Sequence, residues 1–143
     1  MKDDKLIFFK PDADASLELQ VVEGGISAGF PSPAEDFKET TIDLNKALIK
    51  NKEATFYARV SGQSMTGAGL DDGDLLIIDK SIEPVNGKIA VCFIEGEFTV
   101  KRLKIEKGEL FLMPENKRYK PIKVEENDEL IIWGIVTYVI KSL

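Results

Sequence analysis

From residue 54 onward, short apolar runs alternate with turn residues. The runs "TFYARV" (55–60), "DLLIID" (74–79), "KIAVCFI" (88–94), "EFTVKRLKI" (97–105), "ELFLM" (109–113) and "ELIIWGIVTYVI" (129–140) are rich in β-branched and aromatic side chains. Those shapes suit a pleated, half-buried surface. Between the runs stand "DDGD" (71–74), Asn86-Gly87, "EGE" (95–97) and "KGE" (107–109), all turn chemistry. This spacing predicts a mostly β fold, a compact curled β-sheet or barrel. One short amphipathic helix is expected over "IDLNKALIK" (42–50), with Leu44, Leu48 and Ile49 inward. Residues 1–40 read differently. Gly24, Gly25, Gly29, Pro31 and Pro33 oppose helix and ladder alike, so this segment is expected to be an extended N-terminal arm. The division is then an arm over 1–40 and a β-rich domain over 41–143.

Composition narrows the picture. Hydrophobic residues make up 43% and charged residues 31% of 143, ordinary for a soluble globular chain. A single cysteine, Cys92, allows no intramolecular disulfide and fits a reducing, cytoplasmic setting. The longest apolar stretch, "LIIWGIVTYVI" (130–140), is shorter than the ~20 residues of a membrane helix, and the acidic start lacks an apolar leader, so no membrane partner is expected. The net charge is −6, and residues 1–40 hold four lysines against nine acids, leaving the other 103 residues at −1. Phosphates repel such an arm, which argues against direct sequence-specific DNA binding.

The chain has no histidine. That removes Ser-His-Asp and Cys-His catalysis and histidine-ligated metals, and one cysteine cannot supply a thiolate cluster. "DDGD" lacks the spacing of a calcium loop and reads as an exposed turn. No metal and no cofactor are expected. No serine has a lysine three positions later, and "GQSMT" carries Thr66 where a nucleophile elbow needs glycine. A serine activated by a neutral lysine remains. It requires an amine that faces an apolar environment, where desolvation disfavours its charged form. In "EFTVKRLKIE" the period of two puts Lys101 on one face with Thr99, Leu103 and Ile105, and Arg102 and Lys104 on the other. Two readings of Lys101 stand at this point: a stem whose ammonium snorkels to water, or an amine pressed against the core. Ser64, in "SGQSM" (61–65), is either a nucleophile or a turn hydroxyl. Met65 reads as a core filler and Cys92 as a buried strand residue.

"SGQSMTGAGLDDGDLLIID" followed by "GKIAVCFIEGEFTVKRL" closely resembles the self-cleaving Ser-Lys peptidase family of LexA-type repressors and UmuD. Upstream, "GFPSPAEDF" (29–37) and "IDLNKALI" (42–49) resemble its UmuD-like branch. Residues 1–25 match no motif and are too few for a repressor's helix-turn-helix domain, which turns the expectation away from a repressor.

The resemblance implies that Ser64 is the nucleophile and Lys101 its base. It implies a scissile bond at Ala28-Gly29 within the arm, and an oxyanion held by the amides of Gln63 and Ser64. Small residues flank that bond in "SAGF" (27–30), although the same segment also reads as a plain linker. Further implied are a homodimer, cleavage stimulated by a RecA filament on single-stranded DNA in the SOS response to DNA damage, and a trimmed dimer serving a UmuC-like Y-family translesion DNA polymerase subunit. Two other readings stay open: a non-catalytic β-domain docking on a polymerase or filament, and a Ser-Lys protease acting on other proteins.

Overall fold

The computed structural model describes residues 5–11, 18–23 and 38–143. By compactness the chain divides into two units, Asp12–Lys52 and a larger one of Met1–Pro11 with Glu53–Leu143. In the smaller unit, strands β2 (Glu18–Glu23) and β3 (Lys38–Asp43) pair antiparallel, Glu18 opposite Asp43 and Glu23 opposite Lys38. Helix α1 (Leu44–Leu48) follows directly, and Asp43 caps it by accepting from the Asn45 N–H at 2.9 Å. The helix is shorter than the 42–50 expected because Ile42 and Asp43 belong to β3.

The larger unit is one eight-stranded sheet. Its strands are β1 (Lys5–Phe9), β4 (Thr55–Ser61), β5 (Leu75–Asp79), β6 (Ile89–Ile94), β7 (Glu97–Glu106), β8 (Glu109–Met113), β9 (Ile122–Val124) and β10 (Leu130–Ile140). They lie in the order β1-β4-β5-β10-β6-β7-β8-β9, and every neighbouring pair is antiparallel. The fold is therefore mostly β, as the alternation predicts. Two-residue turns at Glu95-Gly96 and Lys107-Gly108 join β6 to β7 and β7 to β8, with positive φ at all four residues. That is the backbone hand a tight hairpin demands.

β1 departs from the expected arm. The Pro and Gly density that opposes a ladder is confined to residues 24–33, and "KLIFF" carries neither. Leu6 and Phe8 pack inward, while Ile7 and Phe9 remain exposed. Phe8 also shows how the sheet closes. Its ring meets Phe98 on β7, five places along the strand order, with centroids 4.8 Å apart, so the sheet curls into a half-barrel. Trp133 on β10 adds to the same aromatic group, 4.7 Å from Phe8 and 4.9 Å from Phe56.

The central strands are buried on both faces, with Leu76–Asp79 on β5, Ala90–Cys92 on β6 and Thr99–Lys101 on β7 all buried in succession. Ala58, Val60, Met65, Leu70, Leu76, Ile78, Val91 and Val100 form one buried cluster, and Ala90, Cys92, Ile94, Leu103, Leu112 and Ile135 form another. Gly134 interrupts β10 for a steric reason: a Cβ there would lie 2.6 Å from Cγ2 of the fully buried Ile78. No helix of the described residues is long and apolar enough to cross a membrane. Gly134→Ala is expected to destabilise the fold by about 1–3 kcal/mol through overpacking. A urea melt should show a lower midpoint at unchanged slope, and an unaltered midpoint would contradict the close approach.

Candidate active site

Ser64 sits where β4 gives way to a tight loop. Gly62 turns the chain at φ 128°, and its N–H donates to Asp72 Oδ1 at 2.9 Å. Met65, next to Ser64, is pinned in the core at 2% exposure. A single 3-10 turn over Thr66–Ala68 follows and closes at left-handed Gly69 (φ 82°). The Met65 carbonyl accepts from Ala68 N at 3.0 Å and Leu70 N at 3.2 Å, so the loop is wound around that buried side chain.

A second segment, residues 114–118, braces the loop. The Glu115 N–H donates to the Ser64 carbonyl at 2.8 Å, and the Gly67 N–H donates to the Glu115 carbonyl at 2.7 Å. The two backbones touch so closely that a Cβ on Gly67 would fall 2.5 Å from the Glu115 carbonyl oxygen. Asn116 donates from Nδ2 to the Gln63 carbonyl at 2.7 Å. Arg102, on β7, reaches Glu115 Oε1 with Nε at 2.7 Å and donates from a terminal nitrogen to the Gly87 carbonyl at 2.7 Å.

Lys101 comes from the middle of β7. Thr99, Lys101 and Leu103 are buried, which resolves Lys101 in favour of burial, but the alternation holds only in part: Val100 on the other face is buried as well, and Ile105, expected on the lysine's face, is exposed where β7 runs out past the core. The small Ala90 stands opposite it on β6, leaving width for a long side chain. On the other side, β8 pairing ends at Met113 opposite Arg102. Pro114 comes next and has no N–H to continue the ladder, so the chain leaves the sheet there and meets the serine loop.

The two side chains converge. Lys101 Nζ lies 3.1 Å from Ser64 Oγ, with Ser64 at 1% and Lys101 at 2% exposure. Nζ also lies 2.5 Å from Thr99 Oγ1 and 3.2 Å from the Val100 carbonyl. Nζ can donate to all three of these oxygen atoms. The contact sets an amine and a hydroxyl at hydrogen-bond distance, the separation that proton transfer between them would require.

Two depressions open beside the residues that flank the pair. One of about 530 Å³ is lined by Thr66, Gly67, Glu115 and Tyr119 among others, and another of about 200 Å³ by Ile94, Glu97, Thr99 and Ile122. Cys92 is fully buried opposite Thr99, and burial pushes its thiol up to about 12. On the far side of the loop, Lys141 ion-pairs with Asp71 at 2.8 Å and with buried Asp74. The hydrogen bonds that Nζ donates, first to Asp71 and then to Asp74, raise its pKa.

Of the residues the sequence singled out, Ser64 and Lys101 come together, and Gln63 is exposed beside them. Ala28 and Gly29 lie outside the described residues. Thr99 was assigned to the lysine's face from the alternation, but not as its hydrogen-bond neighbour. Asn116 and Glu115 were not singled out at all, because their contacts span roughly fifty residues of sequence and leave no local pattern.

Residues 20–137 match the family described as Peptidase S24-like. Protein SamA of Salmonella typhimurium is 46% identical over 110 residues, covering 77% of this chain and 76% of SamA. Protein ImpA of Salmonella typhimurium is 39% identical over 131 residues, covering 91% and 88%. The LexA repressor of Alcanivorax borkumensis is 42% identical over 125 residues, covering 87% of this chain and 60% of the repressor.

The state of Cys92 is open to direct measurement. With the thiol pushed up to about 12, the thiolate fraction at pH 8 is on the order of 10⁻⁴. A disulfide-forming thiol reagent at pH 8 should leave the native protein unmodified and label it promptly once urea unfolds it. Rapid labelling of the native protein would contradict the burial described.

Proposed function

Because this chain belongs to the Peptidase S24-like family, we propose that it is a serine endopeptidase that cuts its own Ala28–Gly29 bond, with Ser64 as nucleophile and Lys101 as general base. The observation that carries this reading is the 3.1 Å contact between a buried lysine amine and a buried loop hydroxyl. Neutral Lys101 takes the proton of Ser64 Oγ as the oxygen attacks the Ala28 carbonyl. The carbonyl electron pair moves to its oxygen, where the amides of Gln63 and Ser64 receive the charge. Collapse breaks the C–N bond, and the Lys101 ammonium returns the proton to the Gly29 nitrogen. Water, deprotonated by the same amine, then hydrolyses the Ala28 ester and releases residues 1–28. Attachment of the substrate to the enzyme's own chain replaces a bimolecular encounter with a positioned one.

The rest of the proposal draws on the likeness to UmuD-like and LexA-type proteins. Cleavage is stimulated by a RecA filament on single-stranded DNA during the SOS response in the cytoplasm. The trimmed product is a homodimer that acts with a UmuC-like Y-family polymerase in translesion synthesis.

A base that must be neutral works better in alkali. Purified protein should therefore self-cleave faster as pH rises from 7 toward ~10, near the ordinary lysine range. Mass spectrometry should find fragments 1–28 and 29–143, and neither should appear in Ser64→Ala or Lys101→Ala. Persistence of both fragments in Ser64→Ala would remove the assigned nucleophile. Thr99→Val, nearly isosteric but without Oγ1, should slow cleavage by about tenfold while Lys101 stays buried, consistent with loss of one hydrogen bond worth roughly 1.5 kcal/mol. An unchanged rate would show that the amine needs no help from Thr99.

A further inference from the structure

The amides assigned to the oxyanion sit in the loop that follows β4, outside any strand or helix ladder, and something must hold their peptide planes. A trans peptide points its C=O and its N–H in opposite directions, so whatever grips the carbonyl also aims the amide. The Gln63 carbonyl and the Ser64 N–H share one such plane. Asn116 Nδ2 donates to that carbonyl at 2.7 Å. The Ser64 carbonyl and Met65 N–H share the next plane, and the Glu115 N–H holds that carbonyl at 2.8 Å. Two consecutive carbonyls are thus drawn toward segment 114–118, and the matching amides face away from it.

The Asn116 side chain is itself oriented. Its Oδ1 accepts from the Arg118 N–H at 2.9 Å, so the other end of the amide, Nδ2, faces Gln63. Nδ2 also lies 3.4 Å from Thr66 Oγ1, across the serine from Gln63 in sequence. The segment is tied to the base-bearing strand by Arg102 and Glu115 at 2.7 Å, so the orientation of the loop is referred to the strand that carries Lys101.

We propose that Asn116 is the positioning residue of the oxyanion-binding site: by holding the Gln63 carbonyl it presents the Ser64 N–H to the carbonyl under attack. The role rests on the self-cleavage reading above. The Asn116 side chain bonds to Gln63, Thr66 and Arg118, and acts on the site through one peptide plane. Losing an oxyanion donor outright costs about 10²–10³ in rate, and misaiming one should cost about ten- to a hundredfold.

The test compares the full chain with Asn116→Ala, Asn116→Asp and Ser64→Ala, at a temperature where circular dichroism shows each to be folded. Asn116→Asp keeps the shape and the acceptor for Arg118 but sets an oxygen against the Gln63 carbonyl. Both Asn116 variants should self-cleave about ten- to a hundredfold more slowly, with the midpoint of the pH–rate profile unmoved. A peptide of residues 22–28 ending in an aldehyde forms a tetrahedral adduct with Ser64, whereas the same peptide ending in an amide binds without reacting. The aldehyde's advantage over the amide should shrink at least about tenfold in the variants, which a merely structural role would not produce. Rates within about threefold of the parent, a displaced pH midpoint, or an unchanged aldehyde advantage would each overturn the assignment. If the parent chain forms no fragments while remaining folded, self-cleavage itself fails and the role of Asn116 falls with it. Parent cleavage that Ser64→Ala abolishes, joined to unaffected Asn116 variants, sinks the role alone.

Discussion

An ammonium taken out of water loses solvation worth several kcal/mol, and only close polar partners or loss of the proton can offset that cost. Lys101, at 2% exposure, sits under this constraint, and oxygen atoms of Ser64, Thr99 and Val100 surround its amine. The neighbouring fold can be understood as the means of keeping those oxygens in place. β7 supplies two of them along with the lysine, so their spacing is built into one strand. The third comes from a loop that has to be brought in from the other side of the sheet.

Bringing it in requires a gap in the sheet and a fastening. The gap is the end of β8, where Pro114 stops the ladder one residue short of Lys101. The fastening is backbone to backbone, Glu115 on Ser64 and Gly67 on Glu115, with no room for a side chain at position 67. Curling of the sheet, visible in the Phe8–Phe98 contact, packs the Met65 cluster beneath the loop and keeps the serine turn from sinking or lifting. Core packing and site geometry are therefore one construction in this unit. A side chain such as Met65, with no chemistry of its own, sets the height of the hydroxyl.

Much of this was readable from the chain. The alternation along β7 sets Lys101 with Thr99 and Leu103, so its face could be assigned without coordinates, although it missed the burial of Val100 and the exposure of Ile105; the β6–β7 and β7–β8 turns were marked by their glycines. β9 was not anticipated, because three residues after Pro121 carry too little pattern to distinguish a strand from a loop. β1 was folded into the arm because the prolines and glycines further on dominated that stretch. Within the site, Ser64 and Lys101 stood out by residue type and by resemblance. Asn116 and Glu115 did not, since a backbone amide or a lone asparagine acquires meaning only when the fold sets it against a distant carbonyl.

The ion pairs of Lys141 with Asp71 and Asp74 sit just beyond the last strand. Asp74 and Gly73 exchange backbone hydrogen bonds with Val60, and Asp72 holds Gly62, two residues before the serine. The carboxyl-terminal end is thereby moored to the root of the Ser64 loop through three acidic residues of one turn. Lys141 and Ser64, 77 positions apart in the chain, are linked through one short run of turn contacts.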